Sequence, residues 1–249
     1  MNFNREVLVS NLEFLLNSNK IKASTLDAKA KMSVGYTTRL LKKDSQTIPG
    51  IDYIMVAAEV LKVSINLMLT VDLKSLNNTD RYKLNVETKL HGDTLNGNLI
   101  WNVYSKSDIL NPNSLEFIIS PMRPFVSTLF QIKGKTEVVC KSKLASDDYV
   151  SVCGACIYTR ISPDNLMVII PVFIEGTTES GFNYHYRGYE LYILLLQDKV
   201  RGFDRVLEET AGYSEINSLY NFVIQKYEDS LIDDEVKDVM DIFLKEDYV

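Results

Sequence analysis

The sequence predicts an α+β chain. An all-α domain of five helices comes first, then a mostly antiparallel β-sheet domain with C-terminal helices. Two observations predict this. Before residue 72, apolar residues recur at helical spacing in short segments. Later segments are strand-length, rich in Val, Ile, Tyr and Phe, and separated by hairpin-scale polar breaks. A third observation, the polar stretch "LKSLNNTDRYK", predicts a linker over 73–83. The expected domains are therefore 1–72 and 84–249.

The helices are justified in order. "REVLVSNLEFLLNS" places Val7, Leu8, Leu12, Leu15 and Leu16 on one face. "ASTLDAKAKM" is rich in good helix formers. Ser33 is expected to cap a third helix, "VGYTTRLLKK", by accepting from N–H groups of its first turn. After "DSQTIPG", the segment "IDYIMVAAEVLKV" aligns Ile51, Ile54, Met55, Ala58 and Leu61, and Ser64 can cap "INLMLT".

Strands are expected in "GNLIWNVYS", "LEFIIS", "TEVVCKSKL", "DYVSVCGACIYTRI", "NLMVIIPVFIE" and "YELYILLLQ". Helices are expected in "GYSEINSLYNFVIQKYEDSL" and "DDEVKDVMDIFLKE". Leu219, Phe222, Val223, Val239, Ile242 and Phe243 mark their apolar faces.

Composition excludes several classes. No window approaches the roughly 20 apolar residues of a membrane helix. The N-terminal stretch has no apolar h-region, so a secretory signal is not expected. Three cysteines, Cys140, Cys153 and Cys156, make no disulfide framework, and a cytoplasmic location is the expected one.

Net charge is −6, but it is uneven. Residues 1–78 hold 10 Lys+Arg against 7 Asp+Glu, and the remainder holds 17 against 26. Seven cations fall within 20–43 (Lys20, Lys22, Lys29, Lys31, Arg39, Lys42 and Lys43), against Asp27 alone. This asymmetry points to a polyanion-facing end, or to a solvated basic face.

The N-terminal third resembles the phage-repressor (Xre or Cro-like) helix-turn-helix family. The residues that carry the resemblance are Leu26, "MSVGYTTRLL", and then Pro49, Ile54, Ala58, Leu61, Val63, Ser64 and Leu67 in register. The likeness covers about residues 5–70. Three positions depart from the family pattern: Asp27 replaces a small Ala, Lys31 replaces a turn Gly, and Ala23 replaces a Gln.

The resemblance implies double-stranded DNA as partner. It implies a reading surface of Ser33, Val34, Gly35, Tyr36 and Thr38, with Lys22, Arg39, Lys42 and Lys43 on backbone phosphate. It also implies a sequence-specific transcriptional regulator, a repressor acting as a homodimer, of bacterial or phage source. Residues 84–249 would then dimerise or bind a small-molecule, peptide or protein effector.

A second reading makes that acidic region an inhibitor of a nucleic-acid enzyme, with the N-terminal domain autorepressing. This arrangement is similar to some phage-encoded anti-CRISPR proteins.

Other motifs carry less. "VCGAC" is a C-x-x-C without companion ligands and reads as a pair of buried structural cysteines. "HGDTLNG" resembles the Gly-Asp-Ser-Met stretch of self-cleaving repressors only superficially, since Thr94-Leu95 stands at the nucleophile position. "GFNYHYRGYELY" reads as a tyrosine-rich hairpin or a recognition surface. No nucleophile, base and orienter occur together. No catalytic residue, metal site, cofactor or membrane partner is expected.

Overall fold

The computed structural model describes residues 4–111, 120–144, 149–178, 180–195 and 199–231. It holds both helices and an antiparallel sheet, the α+β class. Two compact units divide between Lys89 and Leu90.

The first unit opens with α1 (Arg5–Ser18), capped by the Asn4 side chain, which accepts from Glu6 N at 3.0 Å. Then come α2 (Ala23–Lys29), α3 (Tyr36–Leu40), α4 (Ile51–Leu61) and α5 (Ile65–Thr70). Ser64 caps α5 as expected, accepting from Leu67 N at 3.1 Å. Leu8, Leu12, Leu26, Leu40, Tyr53, Ala57, Leu61 and Met68 form one buried cluster to which all five helices contribute. Buried Asn11 satisfies its amide against the end of α5, donating to Met68 O at 2.9 Å and accepting from Leu73 N at 2.8 Å.

The expected linker at 73–83 is only partly irregular. From Asn78 the chain is α6 (Asn78–Leu95), and the division between units falls inside this helix. Polar sequence hid it, because α6 has little apolar periodicity. Arg81 anchors its start, donating to Leu76 O at 2.8 Å and lying over the Phe14 ring. "HGDTL" belongs to the same helix.

In the second unit, eight strands of the described residues form one sheet. They are β1 (Trp101–Tyr104), β2 (Phe130–Lys133), β3 (Glu137–Cys140), β4 (Tyr149–Val152), β5 (Cys156–Ser162), β6 (Asn165–Thr177), β7 (Asn183–Leu195) and β8 (Lys199–Leu207). Every pairing is antiparallel. One edge of β6 pairs along its whole length with β7, which pairs with β8. The other edge is shared. β5 takes 165–169 and β4 takes 172–175. β1 pairs with β5, while β3 and β2 continue from β4.

The expected strand "DYVSVCGACIYTRI" is thus two strands. The break at Cys153–Ala155 faces Pro171, whose carbonyl accepts from Cys153 N at 3.1 Å. In an antiparallel strand, N–H and C=O of one residue point to the same neighbour. The donor that Pro171 lacks therefore coincides with the break.

Among the described residues the helices of this unit are α6's last turns, α7 (Lys106–Leu110), α8 (Arg123–Leu129) and α9 (Tyr213–Ser230). α9 is pinned to the break. Tyr220 Oη donates to Ala155 O at 2.9 Å, and a Cβ on Gly154 would lie 2.8 Å from that hydroxyl. Tyr189 stacks with Tyr213 and Tyr220 and donates to Asn217 Oδ1 at 2.8 Å. Leu219 and Val223 are buried as their spacing suggested. The segment expected as the strand "LEFIIS", apart from Ser120, and the expected last helix with Val239, Ile242 and Phe243 lie outside the described residues. Strands β2 and β8 and helices α7 and α8 were not anticipated.

Cys140 and Cys156 are buried and Cys153 is exposed, which corrects the reading of a wholly buried pair. Among the described residues no helix is long and apolar enough to cross a membrane. None of their His, Cys, Asp and Glu side chains gather into a group that could hold a metal ion.

Candidate nucleic-acid interface

α3 is much shorter than its sequence pattern implied. The expected helix 34–43 contracts to Tyr36–Leu40, because Val34 and Gly35 form the preceding turn and the chain turns again after Leu41. Five residues cannot sustain a helix alone. Both ends are held by side chains from elsewhere.

At the N-terminal end the cap is Asp27 of α2, not Ser33. Asp27 is buried, 3 % exposed. Oδ2 accepts from Gly35 N at 2.9 Å and Oδ1 from Thr37 N at 2.8 Å. The Thr37 hydroxyl also lies against Asp27 Oδ1, and sits 2.8 Å from Tyr53 Oη on α4. Burial pushes the Tyr53 phenol up to about 12, despite its bond to Thr37. At the C-terminal end Arg5 of α1 donates to Leu40 O at 3.0 Å and to Thr47 O at 3.1 Å. An anion at the first turn and a cation at the last both suit the helix dipole. The two residues join α1, α2, α3 and the loop after α3.

The expected contact residues divide into three groups. Val34 is 90 % exposed, and Ser33, Thr38, Lys42, Lys43 and Lys22 are also on the surface. Lys22 stands at the N-cap position of α2. Gly35 lies at φ +77°, a conformation that costs a residue with a Cβ about 1–2 kcal/mol.

Tyr36 and Arg39 are engaged within the protein. The Tyr36 ring is half-buried, 5.1 Å edge-on from Tyr53, so packing is its evident role. Arg39 is exposed, but its guanidinium donates to Ser33 Oγ at 2.8 Å and Val34 O at 3.3 Å. It braces the turn that carries Val34.

Sequence reasoning missed Asp27, Thr37 and Arg5. The signal for Asp27 was present as a departure from the family pattern. The first turn of α3 lies within reach of that carboxylate.

The turn thus presents an apolar Val34 beside hydroxyls of Ser33 and Thr38, with cations flanking.

The second unit holds two further features. A cleft of about 820 Å³ is lined by Trp101, Tyr104, Asp108, Phe222, Lys226 and Tyr227, among others. Separately, Glu190 is fully buried and accepts from Arg205 Nε at 2.9 Å, Ser142 Oγ at 2.7 Å and Tyr192 Oη at 2.6 Å. This network ties the loop after β3 to β7 and β8.

Comparison with protein-family models, with curated proteins and with solved structures finds no match.

Proposed function

We propose that the chain is a sequence-specific DNA-binding transcriptional regulator, a repressor acting as a homodimer. α2, the turn at 30–35 and α3 serve as its helix-turn-helix. The carrying observation is that Ser33, Val34, Thr38, Lys22, Lys42 and Lys43 are all exposed in and around a short helix clamped at both ends. In this reading Val34 meets base edges and the lysines neutralise backbone phosphate. One such unit reads few base pairs, so two copies acting by symmetry give useful discrimination. The cleft at Trp101 and Phe222 is the proposed place for an effector. Sequencing genomic DNA selected by the purified protein tests the reading. An enriched palindromic site supports it, and recovery without sequence preference sinks it. Light scattering on the full chain tests the dimer.

A second reading, an inhibitor that occupies a nucleic-acid enzyme, has one feature in its favour. Among the described residues, the end of the β6–β7 hairpin (176–178 and 180–184) pairs with no other strand and carries Phe182, 73 % exposed. Such a tip, with Tyr184 and Tyr186 behind it, suits protein recognition. Capture of one nucleic-acid enzyme by the full chain, abolished in Phe182→Ala, would favour it.

A further inference from the structure

We infer that Asp27 is a positioning residue for sequence readout, an inference that rests on the DNA-binding reading above. Asp27 itself is too buried to touch a ligand. Its effect passes through the backbone. By accepting from Gly35 N and Thr37 N, it fixes where the turn ends and where α3 begins. Val34 precedes Gly35 directly, so this exposed side chain takes its place from the Asp27 carboxylate, with Arg39 bracing the same turn through Val34 O.

Three features make the dependence strong. α3 contributes only Thr37 and Leu40 as fully buried residues, so its own packing constrains its pose weakly. The Thr37 hydroxyl extends the link from Asp27 to Tyr53 of α4, and the Tyr53 ring meets that of Tyr36. Gly35 sits at φ +77°, a conformation selected by the neighbouring bonds rather than by a side chain of its own. Asp27 also occupies the N–H groups of Gly35 and Thr37. They are not offered to phosphate, and a negative charge stands behind them. Readout is thereby assigned to the side chains of the turn and of Thr38.

A residue that positions without touching has a distinct signature. Replacing Asp27 removes no cation, so the salt slope stays as it is and non-specific affinity does not fall. Displacing Val34 and Thr38 from the base edges lowers specific affinity. A residue needed only for folding would instead lower the active fraction, reducing specific and non-specific binding together.

The experiment uses the full chain and the DNA site selected from genomic fragments. Specific and non-specific affinities are measured against salt for wild type, Asp27→Asn, Asp27→Ala and Thr37→Val, with circular dichroism reporting folding. Asn keeps an acceptor for one N–H but sets an amide donor against the other. Thr37→Val removes the hydroxyl link while leaving the carboxylate cap. The expected result is a specific-to-non-specific ratio lowered about 10- to 100-fold in Asp27→Asn, less in Thr37→Val, at unchanged salt slope. An unchanged ratio in folded Asp27→Asn and Thr37→Val overturns the inference and leaves the DNA-binding reading standing. A parallel fall of both affinities does the same. A wild type that shows no sequence preference overturns both.

Discussion

The Asp27 carboxylate lies 2.9 Å from the backbone N–H of Gly35, and Gly35 sits at φ +77°. A side chain at 35 would be strained in that conformation whatever space it found. Gly35→Ala is expected to destabilise the protein by about 1–2 kcal/mol. Urea unfolding followed by far-ultraviolet circular dichroism measures this. An unchanged midpoint would mean that the turn relaxes at no cost.

Lysine occupies the same left-handed region at three other places. Lys20, Lys31 and Lys62 have φ of 54°, 53° and 55°, where α1, α2 and α4 end. Cations suit helix C-termini, but the backbone conformation suits glycine. Lys31→Gly and Lys62→Gly should each stabilise by up to about 1 kcal/mol, strain relief exceeding the added chain entropy. A lowered melting temperature in both would contradict the strain argument.

Lys42 and Lys43 are exposed, whereas the Arg39 guanidinium is turned onto Ser33 and Val34. If the chain binds DNA as proposed, Lys42→Ala with Lys43→Ala should weaken all sequences alike. The salt slope should fall by about one for each phosphate no longer neutralised. Arg39→Ala should cost discrimination more than slope. Filter-binding titrations at several salt concentrations separate the two, and identical behaviour of both variants would reject the assignment.

Cysteine reactivity provides a probe of the second unit. Burial raises the Cys153 thiol above its ordinary range, although its side chain reaches the surface. Burial likewise holds Cys140 and Cys156 protonated. A raised thiol pKa leaves less thiolate at neutral pH, so labelling by iodoacetamide should be slow there and quicken as pH rises. Mass spectrometry should find Cys153 modified first. Earlier modification of Cys156 would show that the strand break opens.

Arg205 and fully buried Glu190 form a charged pair within the sheet. Arg205→Ala strands a buried carboxylate and should cost about 3–5 kcal/mol. Because Trp101, the chain's single tryptophan, lies in the same unit, its fluorescence reports the destabilisation during urea unfolding. A change under about 1 kcal/mol would show that the pair contributes little to the stability of the sheet.

The sequence by itself determined the helices and strands whose apolar pattern matched one period. Leu8, Leu12 and Leu16 marked α1, Ser64 marked the start of α5, and the run from Leu166 to Ile174 marked β6. These are local signals, readable from spacing and side-chain chemistry alone. It also marked the cation cluster beside α3 and the oddity of Asp27, without saying what that carboxylate does. Tertiary structure decided what depends on partners distant in sequence. α6 is mostly polar and does not advertise itself by period. β4 and β5 divide because Pro171, on another strand, lacks a donor. The cap of α3 lies eight residues before the N–H group it satisfies, and the residue at its other end, Arg5, comes from the first helix. A helix of five residues has too few bonds of its own to choose a position, so that choice passes to the groups packed around it.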